Sequence, residues 1–333
     1  MALPEELTAR GLSAWTERFG GEDPLLLASL FPSRGNVTAG NLVGWDRVDM
    51  GRSAAGFQVY NQHGEQVGLT TTNRESAVAP TMRETKRIPG EYIQWLNAPG
   101  SETQPQGRAA VDREMRNLRL RFAKRQEIMR SQVLCGGNIT GGIGVDTTAI
   151  DIDFGMAATH STTSWATTWG TAGTDILAQL IAGILLCEQD GGVTPDTLLC
   201  GSNVPGYLAN NTAIQEIMSE RQKAELYGGI ITRIPAVELD VQVYRKGYVV
   251  DGTFTPYIGA DAIVLYASDM GGEATYTIDC SSPDARAGTA HRGTYVHAWD
   301  EEQPPAGVWI SMELTALPIL ANPDAIAYDS DVS

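Results

Sequence analysis

The stretch from Arg108 to Cys135 constrains this chain more than any other. Val111, Met115, Leu118, Phe122, Met129 and Val133 recur at spacings of 4, 3, 4, 7 and 4 residues. That rhythm lays them on one stripe of a helix with 3.6 residues per turn. Pro105 and Gly107 stand just ahead of the stripe and Gly136-Gly137 just behind it, so the pattern predicts one helix over 108–135. At 1.5 Å per residue it is about 42 Å long. A helix of that length with a single apolar stripe is a strut laid across a domain.

The same stretch carries the sharpest charge contrast. Residues 108–134 hold 8 basic and 3 acidic residues, residues 1–107 hold 9 and 12, and residues 135–333 hold 7 and 25. The 333-residue chain has a net charge of −16, so its positive charge is concentrated in the strut. Arg108, Arg116, Arg119 and Arg130 flank one side of the stripe, and Arg113, Arg121, Lys124 and Arg125 the other. Two readings stay open. The cations pair with acids of neighbouring segments or subunits, or some of them, Arg113, Arg116, Arg121 and Lys124, form a weak surface for double-stranded DNA that is indifferent to sequence. No helix-turn-helix, zinc-finger or aromatic RNA-binding signature accompanies them. Twenty arginines against four lysines favour bidentate contacts between chains.

The remaining text divides into 1–41, 42–107, 108–165, 166–268 and 269–333. Residues 1–41 read as an arm, with a short helix over Pro4–Phe19, then DPLLLASLFP, then the loop chemistry of SRGNVTAGN. Residues 42–97 are β-rich and interrupted at Gln62-His63-Gly64-Glu65, a long hairpin too poor in apolar residues to fold alone. AIDIDF alternates at strand period. Thr174 is placed to cap a helix over Asp175–Gln189, closed by Gly191-Gly192. LLCGS reads as a buried strand, and a second helix falls within Pro205–Leu226. IITRI, VELDVQVYRKGYVV, TPYIG and AIVLYA are strand-like. Together these make a compact α+β domain. Residues 268–307 read as a polar excursion, and VWISMELTALPIL as a long apolar strand whose expected partner lies around residues 139–154. The compact domain is then an insertion between two halves of a second one.

Chemistry-bearing motifs are sparse. His63, His160, His291 and His297 show no metal spacing, and Asp151 and Asp153 share one face of a strand. Neither a G-x-S-x-G elbow nor a P-loop is present, and GGNITGGIG lacks the strand-loop-helix setting of a phosphate cradle. Cys200 has no assignable base, and Cys135, Cys187, Cys200 and Cys280 read as reduced core thiols. No catalytic residue, cofactor or metal is expected. The acidic start, MALPEELTARGL, does not read as a signal peptide, and Ile176–Cys187 is too short to span a bilayer, so no membrane partner is expected.

The order of the parts carries more than any one of them. LLLASLFP (25–32), RLRFAKRQEIMRSQVLCGG (119–137), WGTAGTDILAQLIAGI (169–184), YRKGYVVDGTFTPYIGADAIVLYAS (244–268) and LPILANPDAIAYDSDV (317–332) occur in sequence along nearly the whole chain. In that order they resemble the lambda-type major capsid protein E family of tailed phages, with the Hong Kong 97 type capsid fold. The resemblance implies an α+β fold with an N-terminal arm, an extended β-hairpin loop, a long spine helix, a split peripheral domain and an inserted axial domain. It implies a structural protein that self-assembles into hexamers and pentamers of an icosahedral head enclosing dsDNA, located in the virion and assembled in the host cytoplasm. Its implied partners are other copies of itself, a separate scaffold or maturation protein, a portal and a decoration protein. Lys86 is the one lysine of the extended loop, which argues against covalent crosslinking of subunits. An encapsulin-like shell subunit is the nearest alternative, and a cytoplasmic hydrolase using Cys200 or the Asp151/Asp153 pair is the alternative from another class.

Overall fold

A computed structural model of the chain describes residues 25–38, 40–48, 72–96, 104–141, 150–161, 166, 168–217, 233–282, 293–301 and 307–333. The expected arm helix, the turn at 62–65 and His291 lie outside the described residues. A short helix α1 (Leu26–Leu30) leads into strands β1 (Ser33–Thr38) and β2 (Leu42–Val48). Then come β3 (Thr72–Val78), β4 (Thr81–Pro89), α2 (Gly90–Leu96) and the long helix α3 (Gln104–Gly136). Strands β5 (Asn138–Thr140) and β6 (Asp151–Asp153) precede α4 (Ala158–Ser161), α5 (Ile176–Gly191), β7 (Thr197–Cys200), α6 (Val204–Asn210) and α7 (Thr212–Ile217). Next are β8 (Arg233–Ile234), β9 (Leu239–Val243), β10 (Gly247–Val250), β11 (Thr253–Pro256) and β12 (Ile263–Tyr266). The chain ends with β13 (Thr275–Cys280), β14 (Tyr295–Glu301), β15 (Gly307–Leu320) and β16 (Ala327–Asp329). Two compact units result. The first is Met1–Val43, Ala77–Met129 and Thr277–Pro318, and the second is Gly44–Ser76, Arg130–Tyr276 and Ile319–Ser333.

The first unit is built on β15. It pairs antiparallel with β4 from Gly307↔Pro89 to Thr315↔Thr81, and with β14 from Tyr295↔Glu313 to Glu301↔Gly307. It is also bonded to β13, which carries β1 in parallel. Alternate residues of β15, namely Val308, Ile310, Met312, Leu314 and Ala316, form one core with Val111, Met115, Leu118 and Phe122 of α3. A period-2 face thus meets a period-3.6 stripe, the pairing that a helix laid on a sheet requires. Met129 and Val133 continue the stripe and are also buried. On the other face of the sheet Trp309 stacks on Trp299 at 6.4 Å, and His297 stacks on Trp299 at 5.6 Å.

Four expectations for this part need correction. The last long strand does not pair around residues 139–154, because β5 and β6, three residues each, pair with one another through Ile139↔Ile152. A 14-residue strand needs longer partners, and β4, β14 and β13 supply them. The supposed polar excursion at 268–307 contains β13 and β14. Part of SRGNVTAGN is strand β1 rather than loop, since the open edge of β13 overrides local turn chemistry. The hairpin of 42–97 is the β2–β3 pair, whereas β4 leaves it to join β15.

Helix α3 begins at Gln104, four residues earlier than the stripe predicts, and is about 50 Å long. Pro105 therefore sits in the first turn, where a missing N–H costs nothing. Gly107 is inside the helix because a Cβ there would come within 3.0 Å of the Leu96 nitrogen and 3.1 Å of the Tyr92 carbonyl oxygen. Any larger residue there would force α2 back by a few tenths of an ångström.

The second unit has a five-stranded sheet in the order β16-β12-β7-β9-β8, parallel between β7 and β9 and antiparallel elsewhere. Strands β7 and β12 are buried along their whole length. Helix α5 covers the sheet with Ile176, Leu180 and Cys187. Its cap is Asp175, whose carboxylate accepts from the Ala178 N–H at 3.0 Å, one residue later than expected. Thr174 instead donates to the Thr168 carbonyl at 2.7 Å. Gly192, at φ 65°, closes the helix in the left-handed region. The helix expected within 205–226 is divided into α6 and α7 by buried Asn211, which donates to the Thr174 carbonyl at 2.7 Å and accepts from the Ile214 N–H at 3.2 Å. The C-terminal segment returns as β16 beside β12. Nearby, the buried His160 ring meets the Ile326 carbonyl at 2.8 Å and Asp190 at 3.2 Å.

Two outcomes follow from this packing. Phe122→Ala empties the middle of the α3–β15 core and lowers unfolding free energy by about 3–5 kcal/mol in chemical denaturation. A wild-type denaturation midpoint would show that the stripe is not buried. The second concerns Asp329, which accepts from the Ala166 and Asp331 N–H groups, both at 3.2 Å. Burial pushes its carboxyl up to about 6 from 3.8. The folded state therefore holds a proton that the unfolded chain has released, so this contribution is full below about 3.8 and lost as pH rises through about 6. Asp329→Asn flattens the fall in melting temperature between pH 5 and pH 7; an unchanged slope would assign that fall to other groups.

Candidate functional site: the exposed face of the long helix

Helix α3 turns its two chemistries in opposite directions. Opposite the apolar stripe, the exposed residues between 109 and 124 are Ala109, Arg113, Arg116, Asn117, Leu120, Arg121 and Lys124. Four are cations and none is a carboxylate. Arg113, Arg116, Arg121 and Lys124 spread over an exposed arc of about 140° around the helix, with Arg116 on one side of the line opposite the stripe and the other three on the other side. At 100° per residue Arg113, Arg116 and Lys124 lie within about 55° of the line opposite the stripe and Arg121 about 90° to its side, while Arg119, Arg125 and Arg130 are half-buried. From Arg113 to Lys124 the arc runs about 17 Å.

Two of the three acids on the helix are engaged by other segments of the chain. Glu114 pairs with Lys86 on β4. Glu127 is buried and accepts from the Leu27 N–H at 3.1 Å, tying α1 to the strut. Arg121 reaches Glu84 of β4 at 3.0 Å, a surface pair whose Arg side chain is 69% exposed, and such pairs contribute little. Arg113 and Lys124 meet no carboxylate within ion-pair distance among the described residues. The arc can hold a polyanion through point charges and guanidinium forks, with no element placed to read bases. Neither Glu127 nor the Lys86–Glu114 pair is signalled by the sequence, since both partners lie far away along the chain.

The remaining candidates do not converge. Cys200 is fully buried, its thiol pointing to the Gln242 carbonyl, and burial pushes it up to about 12. Cys135 and Cys187 are likewise pushed up to about 12 and Cys280 to about 11, mainly by burial. All four thiols are free. A buried thiol so far from ionising is no nucleophile, which removes the Cys200 hydrolase reading. Asp151 and Asp153 are exposed on β6, and no third His, Cys, Asp or Glu joins them among the described residues. His297 belongs to the aromatic stack on the sheet. Part of GGNITGGIG forms β5, and residues 142–149 lie outside the described residues. Among the described residues no helix is long and apolar enough to cross a membrane.

A long helix on a split α+β sheet, with a second unit inserted into the chain, is the Hong Kong 97 type phage capsid fold. The chain belongs to the phage major capsid protein E family, whose model matches residues 10–328. Its structure is similar to a putative capsid protein of a prophage of E. coli CFT073, at 15% identity, over 98% of this chain and 99% of that one, with a TM-score of 0.64. It is similar to a phage-related protein of Bordetella bronchiseptica RB50, at 13% identity over 96% and 95%, with a TM-score of 0.55. It is also similar to the mature capsid of bacteriophage PhiM1, at 9% identity over 93% and 88%, with a TM-score of 0.52. Among curated proteins no sequence matches the chain. Its role is that of a structural capsid protein and virion component rather than an enzyme.

Proposed function

We propose that the chain forms hexamers and pentamers of an icosahedral head, assembled in the host cytoplasm, with the α3 arc turned toward enclosed dsDNA. The arc is the observation that supports the DNA side of this reading: four exposed cations with no carboxylate among them, on a chain of net charge −16. Duplex DNA carries one charge per about 1.7 Å of axis, so a 17 Å arc spans about ten phosphates, more than four cations neutralise. Binding is weak, salt-dependent and indifferent to sequence. A scaffold or maturation protein, a portal and a decoration protein complete the set of partners. The division into arm 1–41, loop 42–107, peripheral segments 108–165 and 269–333, and axial segment 166–268 belongs to this proposal. So does a neighbour-facing role for the extended loop. An encapsulin-like shell differs in its cargo, which is protein instead of DNA.

Two experiments bear on it. Arg113→Gln with Lys124→Gln leaves empty-shell assembly unchanged, lowers the retention of DNA in filled particles, and reduces the salt dependence of DNA binding by about two phosphate contacts. Failure of empty shells in this variant would assign the cations to subunit contacts, because acids of a neighbour would be left unpaired. For the loop, removing residues 55–90 would also remove β4 and the buried Ile88, so it would unfold the first unit. Replacing residues 50–71 by a short glycine linker leaves a folded chain that does not assemble. Normal-sized shells from that deletion would reject the neighbour-facing loop.

A further inference from the structure

The second unit exposes two apolar patches that its own core does not use. The outer face of α5 carries Ala178, Ile181, Ala182 and Leu185, with Ile181 47% and Leu185 44% exposed. No charged residue occurs from Ile176 to Cys187. The other patch is on the β10–β11 hairpin, where Val249 and Phe254 are direct cross-strand partners and are 65% and 58% exposed. The hairpin is fixed from its other face. Tyr248 packs on Tyr257 at 5.6 Å, and Tyr257 stacks on Tyr244 at 5.7 Å. Asp251 and Gly252, at φ 50° and 81°, close it with the tight turn that a two-residue loop favours. A hairpin anchored by tyrosines on one side and left apolar on the other presents a preformed ridge. Paired patches of this kind mark association surfaces.

Charge decides what covers them. The second unit holds 23 acids and 9 basic residues, so a second copy approaching it meets like charge over most of its surface. The uncharged α5 face is a place where it does not. Two of its nine cations, Arg245 and Lys246, are exposed side by side at the root of the hairpin. Exposed Glu188 follows the apolar face of α5. From Val249 back to the root is about 10–13 Å at strand rise. From the midpoint of Ile181 and Leu185 to Glu188 is about 8 Å at helix rise. An arginine side chain spans the difference, so the apolar and the charged contacts can form together.

We infer that the β10–β11 hairpin of one copy docks on the α5 face of the next, with Val249 and Phe254 against Ile181 and Leu185 and Arg245 against Glu188. The two patches differ, so the contact is head-to-tail and, repeated, generates a ring rather than a two-fold dimer. The inference rests on the ring-forming capsid reading and names the surfaces that close the ring. The test is Leu185→Cys with Phe254→Cys in the full chain, assembled and then oxidised. A ladder of covalently linked chains on a non-reducing gel is expected from the double variant and from neither single one. Particles without a ladder overturn the docking and leave the shell reading standing; no particles from the wild-type chain overturn both. A second measurement covers a double variant that fails to fold. Arg245→Glu raises the concentration needed for assembly about tenfold with an unchanged melting temperature, and Glu188→Arg added to it restores assembly. Wild-type assembly by Arg245→Glu, or no rescue, overturns the pairing.

Discussion

The packing of α3 on β15 is the interaction on which the first unit depends. Every second residue of β15 from Val308 to Ala316 meets the stripe of Val111, Met115, Leu118 and Phe122, and the sheet holds β4, β14 and β13 around that strand. The helix supplies an apolar stripe that runs about 33 Å from Val111 to Val133, which short loops could not provide. Its early start follows from the same requirement. Gly107 lets α2 approach closely, so Ile93 and Leu96 extend the core beyond the stripe.

Because one face of α3 is committed to that core, Arg113, Arg116, Arg121 and Lys124 are left exposed away from it. The local acids are taken up by Lys86 and by the backbone of α1, and this leaves an arc whose charge opposes that of the chain as a whole. An acidic protein that must gather many copies of itself has to bury apolar surface without bringing acids together. The uncharged outer face of α5 and the tyrosine-anchored hairpin are surfaces with that property.

Local signals made the strut, α5, β7 and β12 readable, because each announces itself within about fifteen residues by periodicity, a cap or a bounded apolar run. The pairing of the strands was not readable. The partner of β15 lies more than 200 residues earlier in β4, and nothing local distinguishes it from β5 or β6. β1 was hidden for a related reason, since Ser33–Thr38 has loop chemistry and becomes strand only beside β13. The four basic residues and their sides of the helix follow from its period, whereas which arginines are exposed and which half-buried depends on the segments packed against it. Glu127 and His160 were missed as buried partners because each is defined by a contact with a distant segment, Leu27 in one case and Ile326 in the other.

The central claim is that this chain closes shells from copies of itself. Electron microscopy of the purified wild-type protein, with its mass read by sedimentation, tests it most directly. The account predicts closed, uniform particles in the megadalton range. A discrete small oligomer at every concentration and salt condition, with no curved sheets or closed particles, would contradict it.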